Sequence, residues 1–90
     1  MGLNPVRYRF SSHALDEMER RKIAPELVET VLIKPDQIVL ERGTLKAYQS
    51  KHNIGGKMFL VRVIVDDGMD PAVVVTVYRT TKIEKYWKNT

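Results

Sequence analysis

From Gln37 to Thr80 the chain reads as four β-type runs, QIVLER, LKAYQSKH, KMFLVRVIVDD and AVVVTVYRT. The stretches between them are short and rich in turn residues: Arg42-Gly43-Thr44, Asn53-Ile54-Gly55-Gly56 and Asp67-Gly68-Met69-Asp70-Pro71. Connections this short cannot bring a strand back parallel to its predecessor, so the runs predict an antiparallel meander. The last two runs are apolar on both faces. Central strands have that character when helices cover one face and another element partly covers the other.

The residues before Gln37 have a different period. Val6, Tyr8 and Phe10 alternate with Arg7 and Arg9, which predicts a short strand or extended arm. Ser11 or Ser12 then offers a hydroxyl to the free amides of a helix start, and Asp16 and Glu17 lie near the positive end of that helix. Ala14, Leu15 and Met18 fall on one side of it, while His13, Glu17, Arg20 and Arg21 fall together on the other. Arg21 lies at the edge of the apolar stripe. A tight Lys22-Ile23-Ala24 turn leads to a second helix, with Pro25 in its first turn and Leu27, Val28, Val31 and Leu32 as its stripe. Pro35 ends it. The tail TKIEKYWKNT reads equally as a last edge strand or a docked turn. The expected architecture is α+β: one domain over residues 1–90, two N-terminal helices packed on a sheet of about four antiparallel strands.

Composition excludes several function classes. A chain of 90 residues buries about 60–65% of its unfolded surface, which leaves no length for a second domain. No run approaches the roughly 18 apolar residues of a membrane helix, and the start lacks an apolar signal segment. The absence of cysteine removes disulfides, thiol nucleophiles and thiolate metal sites together. A cytoplasmic protein is therefore expected, without a membrane partner. The net charge is +4 and is uneven. Residues 1–30 balance five basic against five acidic side chains, whereas residues 31–90 carry ten against six. Basic excess beside Tyr78, Tyr86 and Trp87 suits a polyanion such as RNA, although it also describes a generally solvated surface.

Metal and phosphate-loop chemistry find little support. His13 and His52 are the only histidines, too few for a dedicated metal site, so no metal or cofactor is expected. NIGGKM lacks the remaining residues of a phosphate loop and reads as a hairpin turn. The first helix carries more. His13 can exchange a proton near neutral pH, the helix N-terminus favours anions, and Arg20 and Arg21 present forked donors to phosphate oxygens. A solvated helix face would look the same. Arg62 sits inside an apolar strand, on the face of Met58, Leu60 and Ile64. A charge there needs either a partner, among Glu41, Glu17 and Asp66, or a place in a cleft. Thr76 and Tyr78 share one strand face and Arg79 points to the other.

Ser12-His13-Ala14, Met18, Arg21 and Ile23, followed by KPDQIVLE, VVVTVY and KYW, resemble the pattern of the domain of unknown function 4258 family across residues 8–87. The resemblance implies a fold grouped with RelE-like and barnase-like metal-independent ribonuclease toxins. Carried over by position, it points to His13, Arg21, Thr76 and Tyr78. One position departs from the pattern: Glu17 stands where an arginine usually precedes the methionine, which either supplies a carboxylate base or marks a lost activity.

Two functions are therefore expected to compete. In a toxin-type endoribonuclease a 2′-hydroxyl attacks the adjacent phosphate. His13 or Glu17 moves the proton, Arg21 and Arg62 stabilise the charge, and Arg20, Thr76, Tyr78 and Arg79 hold the RNA. Such a toxin also needs a neutralising antitoxin-type protein. The alternative is a non-catalytic RNA- or protein-binding module on the same fold. The enzyme requires His13, Arg21 and Arg62 to meet around one phosphate-sized position.

Overall fold

The computed structural model describes residues 8–89. Its elements run β1 (Tyr8–Phe10), α1 (Ser12–Arg20), α2 (Pro25–Ile33), β2 (Gln37–Arg42), β3 (Leu45–Ile54), β4 (Lys57–Asp66), β5 (Ala72–Thr80) and α3 (Ile83–Tyr86). Strands β2 to β5 form the expected antiparallel meander, with Tyr48 opposite Val63 and Val63 opposite Val77. Two expectations need correction. The sheet has five strands in the order β1-β5-β4-β3-β2, and β1 lies parallel to β5, with Arg9 opposite Val73. The sheet is thus mixed rather than wholly antiparallel. The two expected helices are accompanied by a third short one, α3, so of the two readings left open for the tail it takes the docked turn and not the edge strand. Alternation shows that Tyr8–Phe10 is extended, but an extended segment does not declare its partner. The outer edge of β5 is the position it takes, and the two helices and the meander supply the long crossover that parallel pairing requires. The expected strand residues Pro5, Val6 and Arg7 lie outside the described residues.

Helix α1 starts where its sequence offers a cap. Ser11 is extended and its Oγ accepts from the Ala14 amide at 3.0 Å. The same hydroxyl donates to the Val75 carbonyl at 2.9 Å, and the Ser11 amide donates to Val74. Val75 is the extra residue of a bulge, since Ile64 faces Thr76 while Val65 faces Val74. One side chain therefore caps the helix and satisfies an irregular carbonyl of β5. Replacing Ser11 with alanine should cost about 1–2 kcal/mol in urea unfolding, with faster hydrogen exchange at the Ala14 amide. An equal loss with Ser11→Asp would show that the donated bond matters more than the cap.

The C-terminus of α1 is a Schellman closure. The Ile23 amide donates to Met18 at 2.8 Å and the Lys22 amide to Glu19 at 3.2 Å. Lys22 takes the left-handed position at φ +56°, where glycine is usual. Ile23 and Met18 are both buried beside this turn. They join Ala14, Val28, Val31 and Leu32 of the helices against Val61, Val63, Val65, Val74 and Val77 of the sheet. Leu15 was expected in this stripe but is 52% exposed. The face that docks is the narrow one through Ala14 and Met18, and Leu15 lies about 100° around the helix from Ala14.

The opposite sheet face buries Ala47, Gln49, Leu60, Arg62 and Ile64. Alternation along β4 separates these residues from the valines of the helix side. Helix α3 covers part of this second face, with the Tyr86 ring stacked 4.2 Å from the Arg62 guanidinium carbon. The two-sided apolar character of β4 follows from cover on both faces. No helix among the described residues is long and apolar enough to cross a membrane.

Candidate functional site

The polar candidates separate onto the two faces of the sheet. Arg62 is 1% exposed, and each of its three nitrogens donates to a protein acceptor. Nε donates to Gln49 Oε1 at 2.8 Å, Nη2 to Glu41 Oε1 at 2.6 Å, and Nη1 to the Tyr78 hydroxyl. Gln49, itself fully buried, passes the network on: its Nε2 donates to Gln37 Oε1 and to the Tyr86 carbonyl. Gln37 in turn bonds both backbone groups of Lys88. Burial pushes the Tyr78 phenol up from its ordinary pKa despite the opposing Arg62 charge. This cluster ties β2, β3, β4 and β5 to the C-terminal segment. Its architecture is that of a satisfied buried cation, and Glu41 is the partner among the three carboxylates considered from sequence.

On the helix side, Glu17 holds both arginines of α1. Arg20 Nη2 lies 2.7 Å from Glu17 Oε1, and Arg21 Nε donates to the same oxygen at 2.7 Å. Hydrogen bonds from Arg20 and then Arg21 hold the Glu17 carboxyl at about 2, well below the usual carboxylate range. The departure from the family pattern thus places an ionised carboxylate under two guanidinium groups.

Beyond that pair lies an open groove of about 540 Å³, lined by Arg20, Arg21, Lys22 and Arg79 with Phe59, Thr80 and Thr81. Three elements build it. The Schellman turn presents Arg21 and Lys22, and the alternation of β5 sends Arg79 to the helix side, opposite Val61. Phe59 projects from β4 on the same side, and the Arg79 guanidinium lies 5.1 Å from its ring centre. Four cations and one carboxylate leave about three positive charges around the groove.

His13 is exposed and does not line this groove. It precedes Arg21 by eight residues on α1, about 12 Å along the axis. Arg62 and Tyr78 lie on the other face of the sheet, and Thr76 shares their side opposite Ile64. The structure therefore brings together Glu17, Arg20, Arg21 and Arg79, and separately Arg62 and Tyr78. It does not bring His13, Arg21 and Arg62 to one position. Sequence reading did not single out Lys22, Phe59, Thr80 or Gln49. Lys22 carried a signal, since many helices end on a left-handed residue and this stop offers no glycine for it. Gln49 carried one too, a long amide on the strand beside an apolar run. Among the described residues no three His, Cys, Asp or Glu side chains cluster as metal ligands.

Compared with known proteins, the chain matches no curated protein and no solved structure. The family comparison does match, over residues 10–79, a span from the end of β1 to Arg79 that takes in α1, the buried Arg62 and the whole meander. The chain belongs to the family described as Domain of unknown function (DUF4258).

Proposed function

We propose that the chain is an RNA-binding module that holds a single-stranded phosphate backbone in the groove between the end of α1 and β5. The observation that carries this reading is the convergence of Arg20, Arg21, Lys22 and Arg79 beside the Phe59 ring. Cations track the backbone, an aromatic face accepts a base, and threonine hydroxyls reach sugar or phosphate oxygens. Lys22 adds support. A lysine in the left-handed region costs about 1 kcal/mol relative to glycine, and it puts a cation on the groove wall.

A cleaving activity of the RelE-like toxin type would need a proton-transfer group beside the bound phosphate. The groove lining has no imidazole, and the carboxylate beside it, Glu17, has a pKa of about 2 and both oxygens engaged by its arginines, which makes it a weak general base. Binding without cleavage is therefore the better reading. An antitoxin-type partner belongs only to the cleaving alternative.

The test is fluorescence anisotropy with a labelled single-stranded RNA in EDTA, with the product checked on a gel. Three effective cations predict a slope of log affinity against log salt of about −2.1. The RNA should emerge intact with wild type and with His13→Ala. Cleavage that His13→Ala abolishes, or affinity independent of salt, would reject the proposal. Glu17→Gln should steepen the slope to about −2.8 and tighten binding about eightfold at 50 mM salt. Because the folded Glu17 pKa is depressed to about 2, this carboxylate keeps its charge from pH 8 down to 4. The Glu17→Gln gain should therefore be the same at both ends of that range.

A further inference from the structure

Resting on the RNA-binding reading, we infer that the groove takes a strand end, seating a terminal phosphate monoester of single-stranded RNA among Arg21, Lys22 and Arg79. A groove of about 540 Å³ has the size of a single small-ligand site, about 300–1,000 Å³. Folds that track an internal strand cover about 4–16 nucleotides with cations along the path. Here the cations line one short space instead, between the end of α1, one residue of β4 and the end of β5.

Their hydrogen bonds show which of them are free for a ligand. Arg20 donates both Nε and Nη2 to Glu17. Arg21 gives Glu17 only its Nε, and its two terminal nitrogens have no acceptor among the described residues. Lys22 and Arg79 have no ion pair there either. Three cationic donor groups are therefore uncommitted around one space. An internal phosphodiester brings them a single charge on two free oxygens, whereas a terminal monoester brings close to two charges at neutral pH on three acceptor oxygens. Two forked guanidinium groups and an ammonium suit the second better. They also outweigh the negative pole of α1, whose last carbonyls are already bonded by the Schellman amides.

The remaining wall receives the terminal nucleoside. The Arg79 guanidinium lies 5.1 Å from the Phe59 ring centre, so a base that stacks on this ring keeps its phosphate within reach of Arg79. Thr80 Oγ1 accepts from the Lys82 amide at 3.0 Å, which leaves its proton for a sugar oxygen. The rest of the strand leaves through the open side of the groove. Either end of an RNA carries this chemistry when it is phosphorylated, so the 5′ and 3′ forms are separate arms of the test.

Competition against the labelled RNA in EDTA is the experiment, with one short RNA added unlabelled in 5′-phosphorylated, 3′-phosphorylated and unphosphorylated forms. At least one phosphorylated form should compete about eightfold better than the unphosphorylated one at 50 mM salt, and about threefold better at 200 mM, the effect of one further paired charge. The form that shows the gain identifies the end that the groove holds. Lys22→Gly keeps the turn, because glycine is the usual residue in this position, and takes away one donor. In this variant the advantage at 50 mM salt should fall below about threefold, since one phosphate oxygen then lacks its partner. Equal competition by all three forms overturns the inference and leaves RNA binding standing. An advantage that Lys22→Gly leaves whole overturns it too, because the monoester then sits elsewhere. If the labelled RNA itself does not bind, RNA binding is rejected and the inference falls with it.

Discussion

Replacing Arg62 with alanine is expected to lower the unfolding free energy by about 3–5 kcal/mol, the usual consequence of removing one member of a buried ionic cluster. A chain of this size has a total of about 5–13 kcal/mol, so the variant should melt at least 12 °C lower or fail to fold at 37 °C. The reason is what the substitution leaves behind. Gln49 Oε1 loses its donor in a site with no access to water, the Tyr78 hydroxyl loses a partner, and Tyr86 loses the guanidinium on which it stacks. The chain has no buried side-chain polar atom without a partner among the described residues, and Arg62→Ala would create the first.

The same geometry ranks the partners. Glu41 is about a third exposed, so water admitted in its place offsets part of the uncompensated Arg62 charge, and Glu41→Ala should cost about 2–3 kcal/mol, less than breaking a fully buried pair. Gln49 is sealed, so its coupling to Arg62 in a double-mutant cycle should exceed that of Glu41. Urea unfolding of the three single and two double variants measures both couplings. If Arg62→Ala cost less than about 1 kcal/mol while the fold stayed intact, Arg62 would be poised for a ligand rather than for the fold.

Much of the fold was legible because period and punctuation are local. QIVLER and AVVVTVYRT coincide with β2 and β5, and the glycine-bearing turns between strands force the meander. What remained unread was non-local. Nothing in Tyr8–Phe10 names β5 as its neighbour, and the four residues of α3 are too few to show a helical period. The candidate site shows the same division. His13, Glu17, Arg20 and Arg21 were grouped by helical spacing, and three of them do meet. Arg62 was grouped with them by chemistry alone. Whether an odd-placed arginine faces α1 or α3 depends on which strand face the helices choose. Val61, Val63 and Val65 settle that choice, and they put Arg62 on the other side. Alternation on β4 contained this answer only once the docking face was known.

Reversing the charge at Arg79 is the change expected to affect binding most. Arg79→Glu removes one groove cation and sets a carboxylate beside Phe59, so the effective count falls from about three to about one. The salt slope should flatten from about −2.1 to about −0.7. That difference amounts to about a 60-fold loss of RNA affinity at 50 mM salt and about a tenfold loss at 200 mM, converging toward equal binding near 1 M. The stability should change little, since Arg79 is only half-buried and has no ion pair among the described residues. Convergence at high salt separates a lost phosphate contact from a distorted groove, which would weaken binding at every salt concentration. Lys57→Glu, an equal charge change on an exposed residue outside the groove, is the matched control and should leave the slope within about half a unit of wild type. A loss equal to that of Arg79→Glu would mean that net charge, and not this groove, holds the RNA.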